Sequence, residues 1–165
     1  MRHHIDLTHD RGVGNRTLYA AVKKAALAAL EAEQVSLPCE VSIYITGDGE
    51  IHRLNREYRG VDRPTDVLSF PMQELTPGDF RPDPEERDPQ TGRLPLGDVI
   101  LSWETACRQA AELGHGPERE AAYLTVHSVL HLLGYDHVDE GPMKKQMRGR
   151  EKCIMDSLLQ QEAAL

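Results

Sequence analysis

Residues 127–137 read His-Ser-Val-Leu-His-Leu-Leu-Gly-Tyr-Asp-His and place three histidines within one short stretch. On a helix, His127 and His131 lie about 40° apart around the axis and about 6 Å apart along it, so both imidazoles face the same way. Gly134 predicts the end of that helix, because glycine adopts left-handed backbone angles at low cost. A chain that turns back there brings His137 towards the other two histidines. The stretch therefore predicts a helix that ends in a metal site.

Three neutral imidazoles with one open position are the ligand set of a catalytic zinc ion. The spacing H-x-x-x-H-x-x-G-x-x-H is also that of the metzincin metalloproteases. Those proteases carry a glutamate directly after the first histidine as the general base, whereas this chain has Ser128. A serine hydroxyl without a histidine to deprotonate it cannot replace that glutamate. The spacing predicts a metal site, and Ser128 counts against a protease.

Two further blocks of sequence precede the histidine motif. They are Asn55, Tyr58-Arg59, Asp62 and Pro64-Thr65-Asp66-Val67-Leu68-Ser69-Phe70-Pro71, followed by Leu96-Gly97-Asp98-Val99-Ile100-Leu101-Ser102. Together with residues 127–137, and in this order, they resemble the YbeY family of bacterial endoribonucleases. The three blocks span about half of the chain. One position departs from the family pattern, because Ser128 stands where the family usually has glycine.

The resemblance implies a single-domain, zincin-like fold and a zinc-dependent endoribonuclease activity. It implies a role in ribosomal RNA processing, especially maturation of the 3′ end of 16S RNA, and in ribosome quality control. We therefore expect one Zn²⁺ per chain, held by His127, His131 and His137. The expected partners are single-stranded ribosomal RNA and the ribosome or its small subunit with associated factors. No DNA partner and no membrane association are expected.

Arg59 matches the arginine that the family places in its active cleft. A guanidinium there has the geometry to bind the scissile phosphate and to stabilise the negative charge of a pentacovalent transition state. We predict Arg59, His127, His131 and His137 as the catalytic residues. The missing glutamate leaves the proton acceptor unidentified. Attack by the ribose 2′-OH would leave a cyclic or 2′/3′-phosphate, whereas a metal hydroxide would leave a 3′-OH and a 5′-phosphate, and both routes stay open.

Length and cysteine usage predict one domain in a reducing compartment. The chain of 165 residues is long enough to bury a core without metal or disulfide staples. We predict a single domain over residues 1–165, with a proline-rich acidic loop at residues 71–95. Cys39, Cys107 and Cys153 have no paired spacing, and helical patterns predict core positions for the last two. These features indicate the cytoplasm, and no apolar stretch approaches the roughly 18 residues of a membrane span.

The charge is unevenly distributed along the chain. The net charge of −8 is unfavourable for an RNA partner, which usually binds basic surface. Residues 73–91 contain six acidic and two basic side chains, whereas residues 144–152 contain five basic and one acidic. The basic run follows the histidine motif, so the chain can still present a basic face to RNA. A solvated flank of a helix is an equally good interpretation of this run.

Hydrophobic periodicity predicts the element order β-α-β-α-β-β-α-α-α. The predicted strands centre on residues 5–7, 41–45, 67–70 and 98–101. The predicted helices cover about 15–34, 48–58 and 102–113, and the last two begin at Pro117 and near Pro142. In the second helix we expect Asp48 as the cap, and Ile51, Leu54 and Tyr58 facing inward. The order gives an α/β (α+β) fold with a mixed four-stranded sheet and about five helices, as the resemblance implies.

Two other functions remain open from the sequence. The histidine spacing alone suggests a metalloprotease-like hydrolase. The basic run at residues 144–152 suggests a non-enzymatic ribosome-associated protein with structural zinc, in which loss of His131 would unfold the domain. Nickel, copper and iron also suit three imidazoles, and zinc is favoured by its open tetrahedral chemistry and by the resemblance.

Overall fold

A mixed sheet forms the centre of the fold. The computed structural model describes residues 2–136 and 141–163. Within them lie four strands, β1 (His4–His9), β2 (Cys39–Thr46), β3 (Val67–Pro71) and β4 (Leu94–Ser102). Their order is β1-β2-β4-β3, with β1–β2 and β2–β4 parallel and β3–β4 antiparallel. The predicted mixed four-stranded sheet is confirmed, with the antiparallel strand at one edge.

The described residues form five α-helices around this sheet. They are α1 (Arg16–Ala32), α2 (Asp48–Arg59), α3 (Trp103–Leu113), α4 (Pro117–Leu132) and α5 (Pro142–Ala163). Helices α1 and α4 pack together on one face, α5 packs on α1 and α4, and α2 covers the other face near β3 and β4. The observed order of elements is the predicted one. None of the helices in residues 2–136 and 141–163 has the length and apolarity to span a membrane.

The main core lies between the sheet and the pair α1 and α4. In strand β4, the alternation of core-facing residues shifts by one position after Leu96. Its core residues are Leu94, Leu96, Val99 and Leu101. A β-bulge explains this shift, because Glu40 of β2 pairs with Pro95 and Val41 pairs with Gly97. Gly97 has φ of 144°, and a Cβ there would lie 2.3 Å from the carbonyl oxygen of Phe70. Only glycine lets β3 approach β4 this closely.

Asp48 has a different role from the predicted one. The N-cap of α2 is Gly47, and the backbone N–H of Asp48 donates to Glu104 Oε1 over 2.9 Å. The Asp48 carboxylate accepts hydrogen bonds from the first turns of α3 and its cap, namely from Ser102, Thr105 and Arg108. Asp48 therefore joins α2 to α3 instead of capping α2, through partners more than 50 residues away along the chain. The predicted cap of α3 is confirmed, because Ser102 Oγ accepts from the Thr105 N–H.

Two side chains predicted to be buried are exposed. Tyr58, near the end of α2, is 65% exposed. Cys153 on α5 is exposed and Cys107 is partly exposed, whereas Cys39 is fully buried. Periodicity locates these helices correctly but does not fix the width of their buried faces. For α2 that face is narrow, because only its cluster with β3 and β4 lies beneath it.

The link between Asp48 and α3 predicts a specific acid sensitivity. Burial raises the pKa of Asp48, but the hydrogen bonds from Ser102, Thr105 and Arg108 outweigh it, so the pKa lies below its ordinary value of 3.8. A carboxyl with a lowered folded-state pKa stabilises the protein fully above its unfolded pKa, and this stability is lost as pH falls through the folded-state pKa. We expect Asp48→Asn to lose less unfolding free energy than the wild type between about pH 7 and about pH 3, in urea titrations. The exposed Asp62→Asn is the control, and parallel curves for wild type and Asp48→Asn would contradict the assignment.

Candidate metal centre

Helix α4 presents His127 and His131 side by side at its C-terminal end. Their Nε2 atoms lie 3.1 Å apart, and their ring planes meet at 82° with centroids 4.6 Å apart. Both side chains line one cleft. The structure therefore brings two of the three predicted ligands to a common point.

Each of these imidazoles is held through its other nitrogen. His127 Nδ1 lies 2.6 Å from Glu151 Oε2, and His131 Nδ1 lies 2.8 Å from the backbone oxygen of Tyr135. A carboxylate and a carbonyl only accept hydrogen bonds, so both Nδ1 atoms carry the proton. An imidazole that carries its proton on Nδ1 has a lone pair on Nε2, and the two Nε2 atoms face each other.

Two facing lone pairs at this distance suit a shared metal ion. Two imidazole ligands of a tetrahedral zinc, each at about 2.0–2.1 Å, have nitrogens about 3.3 Å apart. The observed 3.1 Å is close to this separation. Imidazoles whose Nδ1–H donates to a carboxylate or a carbonyl are also the usual protein ligands of zinc. The donor atoms, their spacing and their supporting contacts fit a metal ion.

The third predicted ligand, His137, lies outside the described residues. Among residues 2–136 and 141–163, no three His, Cys, Asp or Glu side chains lie close enough to hold a metal. The turn that would bring His137 back does begin where predicted, because α4 ends at Leu132 and Gly134 has φ of 104°. The described part of the site is thus a histidine pair followed by the expected bend.

The bend after α4 is held from two sides. A Cβ on Gly134 would lie 2.1 Å from the carbonyl oxygen of Leu75, so the loop after β3 packs directly on this glycine. The Tyr135 ring is buried, and its hydroxyl donates to Glu33 Oε1 over 2.5 Å. Glu33 Oε2 in turn accepts from Arg150 Nε over 2.7 Å. The carbonyl that orients His131 is therefore anchored to both α1 and α5.

Helix α5 also supplies the partner of His127. Glu151 is 4% exposed, and its Oε1 accepts from the Tyr123 hydroxyl over 3.0 Å. Burial raises the pKa of Glu151, but the hydrogen bonds of His127 and Tyr123 outweigh it and the pKa is lowered, so the carboxyl is charged. Glu151 was not predicted from the sequence, because 24 positions separate it from His127 and it lies inside the basic run.

Some basic side chains of the 144–152 run form ion pairs within the protein. Arg150 forms its ion pair with Glu33, and Lys152 pairs with Asp156 over 2.7 Å. Fewer basic side chains of this run are therefore available to bind RNA than its sequence suggests. Arg150 and Glu151, within the run, instead support the histidines.

The cleft beside the histidines has a volume of about 950 Å³. Its walls come from the end of α2, from β3 and the residues before it, and from the end of α4. The first residues of the predicted 71–95 loop form a further wall, with Gln73, Glu74, Leu75 and Thr76 lining it. This wall cannot be predicted from the sequence, because it depends on the packing of Leu75 against Gly134.

Arg59 ends α2 and lines the same cleft as His127 and His131. Its Nη2 donates to the backbone oxygen of Ser69 on β3, and its guanidinium carbon lies 5.4 Å from the centre of the Phe70 ring. Its other N–H groups make no hydrogen bond to a described residue. Arg59 is therefore fixed at the cleft with donors left for an anionic group.

Ser128 does not line the cleft. Its side chain is fully buried, and its hydroxyl shares a hydrogen bond with the Ser69 hydroxyl. It therefore cannot serve as a proton acceptor in the cleft, so the position of the metalloprotease glutamate carries no general base here. Instead it joins α4 to the strand whose carbonyl holds Arg59.

Comparison with known proteins gives a consistent family. A family model described as Endoribonuclease YbeY matches residues 5–159. The Endoribonuclease YbeY of Chloroflexus aggregans is 51% identical over 142 residues, covering 84% of this chain and 86% of the relative. That of Roseiflexus castenholzii is 48% identical over 138 residues, covering 83% of this chain and 81% of the relative.

The fold also resembles a solved structure. The solution structure of TM1509 from Thermotoga maritima superposes with a TM-score of 0.63 at 26% sequence identity. The match covers 97% of this chain and 92% of that chain. The agreement therefore extends over nearly the whole chain and is not confined to the histidine motif.

The contact between Glu151 and His127 predicts a role in metal affinity. Glu151→Gln keeps the shape of the side chain but removes the charge that holds Nδ1–H, and losing such a partner typically weakens metal binding about 10- to 100-fold. The dissociation constant of zinc, measured on tag-free protein by competition with a chromophoric chelator, should rise by this factor. Asp156→Asn, which removes an exposed carboxylate from the same helix, is the matched control. Equal affinities in both variants would contradict the role of Glu151.

Proposed function

Because the chain belongs to the YbeY family of endoribonucleases, we propose that it cleaves single-stranded ribosomal RNA at a metal centre on the C-terminal end of α4. The chain is an endoribonuclease that hydrolyses RNA phosphodiester bonds in ribosomal RNA processing. The observation that carries the proposed site is the convergence of two Nε2 atoms in the cleft that also holds Arg59. The proposed catalytic residues are Arg59, His127, His131 and His137.

The family is one of metalloenzymes, and the metal proposed for this chain is one zinc ion. His127, His131 and His137 would hold it, and a set of three neutral imidazoles with an open position favours zinc. When bound, the ion supplies Lewis-acid chemistry to the scissile phosphate. Glu151 and the Tyr135 carbonyl keep the two described imidazoles in the tautomer that such a ligand needs.

Besides the proposed metal, the Arg59 guanidinium supplies positive charge for binding the scissile phosphate. The Ser69 carbonyl holds Nη2, which leaves Nε and Nη1 to donate to phosphate oxygens. A guanidinium fixed before the substrate arrives loses little rotamer freedom on binding and stabilises charge that develops during the reaction. Arg59 thus binds the phosphate and opposes the extra negative charge of the transition state.

The shape and charge of the protein support a single-stranded substrate. The cleft is bounded by β3, α4 and residues 73–76, and a flexible single strand enters such a space more easily than a rigid duplex does. A net charge of −8 also disfavours a substrate that brings two phosphate chains to the surface. We propose the 3′ end of 16S RNA as the substrate, with the small ribosomal subunit and its factors as partners in the cytoplasm.

Two routes of attack remain to be distinguished by the product ends. Attack by the 2′-OH leaves a cyclic or 2′/3′-phosphate, and attack by water leaves a 3′-OH and a 5′-phosphate. A substrate with a single 2′-deoxy nucleotide at the cleavage site separates them. Cleavage of that substrate to a 3′-OH end would exclude the 2′-OH route.

The position of Arg59 predicts a large and local effect of charge reversal. Arg59→Glu should lower the cleavage rate of a single-stranded ribosomal RNA fragment by at least about 100-fold, since it places a negative charge beside the phosphate. Arg56→Glu makes the same change of net charge on the same helix, but Arg56 is exposed and does not line the cleft. Its rate should stay within a few-fold of the wild type. Equal losses in both variants would mean that Arg59 acts only through general electrostatics.

The histidine pair predicts that metal and activity are lost together while the fold survives. Elemental analysis of tag-free protein should give about one zinc per chain, and His131→Ala should lower the zinc content and abolish cleavage. Its thermal transition should fall only by the lost contribution of metal binding, because the core is built by the sheet with α1 and α4. His4→Ala, which removes an exposed histidine of β1, is the control. An unfolded His131→Ala would favour structural zinc, and full zinc retention would contradict the ligand assignment.

A further inference from the structure

The exposed ring of Tyr58 continues the cleft beyond Arg59. We propose that Tyr58, Arg59, Phe70 and Pro71 form a shelf that binds one unpaired base of the RNA next to the scissile phosphate. The shelf residues line a shallow groove of about 560 Å³ together with Val61 and Ser69. This inference rests on the proposed single-stranded substrate and adds a binding subsite to it.

The groove and the cleft are one continuous surface. Arg59, Ser69 and Pro71 line both of them. Arg59 thus stands at the boundary, with its guanidinium carbon 5.4 Å from the Phe70 ring centre. An RNA strand whose phosphate contacts Arg59 would therefore carry a neighbouring nucleotide onto the shelf.

The geometry of the two rings leaves a stacking surface. Tyr58 and Phe70 meet edge to face, with centroids 5.9 Å apart and planes at 70°. Whichever ring gives its edge, at least one face of Tyr58 is left uncovered by Phe70. Tyr58 is 65% exposed, and Met72, directly after the shelf, is 56% exposed. Leu113 is the third large apolar side chain that is exposed among the described residues, so two of the three lie at or beside this shelf.

The charges around the shelf suit a base better than an apolar protein segment. Glu57, the acidic neighbour of Tyr58, is engaged by Arg53 over 2.6 Å. Among the described residues, Arg59 is therefore the charge at the shelf edge without an ion pair. An aromatic ring beside a guanidinium is the usual surface for stacking an unpaired base. A chain of net charge −8 also gains little affinity from phosphate contacts alone, and stacking is insensitive to that charge. These features favour a nucleobase as the occupant.

The test compares variants of the shelf on intact and abasic RNA. The kcat/KM for a single-stranded ribosomal RNA fragment is measured for wild type, Tyr58→Ala, Tyr58→Phe and Leu113→Ala. Leu113 is the matched control, because it is also 65% exposed and lies on α3. The same measurements use RNAs with one abasic nucleotide placed in turn at each position flanking the cleavage site. A fragment with 2-aminopurine at the responsive position reports stacking by its fluorescence on mixing.

Loss of one stacked base should lower kcat/KM about 5- to 100-fold. We expect this loss for Tyr58→Ala, recovery of most of it in Tyr58→Phe, and no change in Leu113→Ala. When the base is removed at one flanking position, the kcat/KM of the wild type should fall to that of Tyr58→Ala on intact RNA. The kcat/KM of Tyr58→Ala should not fall further on that abasic RNA. Quenching of 2-aminopurine should occur with wild type and not with Tyr58→Ala.

Two results would overturn the shelf while leaving the proposed function intact. Tyr58→Ala could cleave as well as Leu113→Ala, or it could lose activity equally on intact RNA and on every abasic RNA. The second result would mean that Tyr58 has a structural effect or binds something other than a base. Failure of the metal-loaded wild type to cleave any single-stranded fragment would instead overturn the proposed function, and the shelf with it.

Discussion

The candidate site depends on keeping two imidazole lone pairs turned towards one point. Helical spacing brings His127 and His131 together, but it does not fix their tautomers. That is done by two acceptors at Nδ1, the Glu151 carboxylate and the Tyr135 carbonyl. Both acceptors are in turn held by α5, directly through Glu151 and indirectly through the ion pair of Arg150 with Glu33. Two adjacent residues of one helix thus support the two histidines by separate routes.

The same helix α4 that carries the histidines also sets the opposite wall of the site. Its Ser128 is bonded to Ser69 of β3, and the Ser69 carbonyl holds Arg59. A short chain of contacts therefore connects the histidine side of the cleft to the side that carries Arg59. Such coupling favours a preorganised site, in which charge stabilisation requires little rearrangement when substrate binds.

An acidic endoribonuclease must bind a polyanion without a strongly basic surface. The structure suggests how this is possible, because Arg59 forms no ion pair with a described residue, while Arg53, Arg150 and Lys152 are engaged with carboxylates. In the proposed function, a few phosphate contacts act together with the metal and with apolar surface at the mouth of the cleft. Binding of this kind depends less on ionic strength than binding by a basic patch.

The sequence by itself determined the features that arise from local chain geometry. Periodicity gave the order of strands and helices, the i and i+4 spacing gave the histidine pair, and Gly134 gave the bend. Only the tertiary structure decided which side chains support or surround these features. The partner of His127 is 24 positions away, Asp48 binds α3 rather than capping α2, and Tyr58 is exposed because the buried face of α2 is narrow. Backbone preferences act over a few residues, whereas buried hydrogen bonds and cleft walls depend on how distant elements pack.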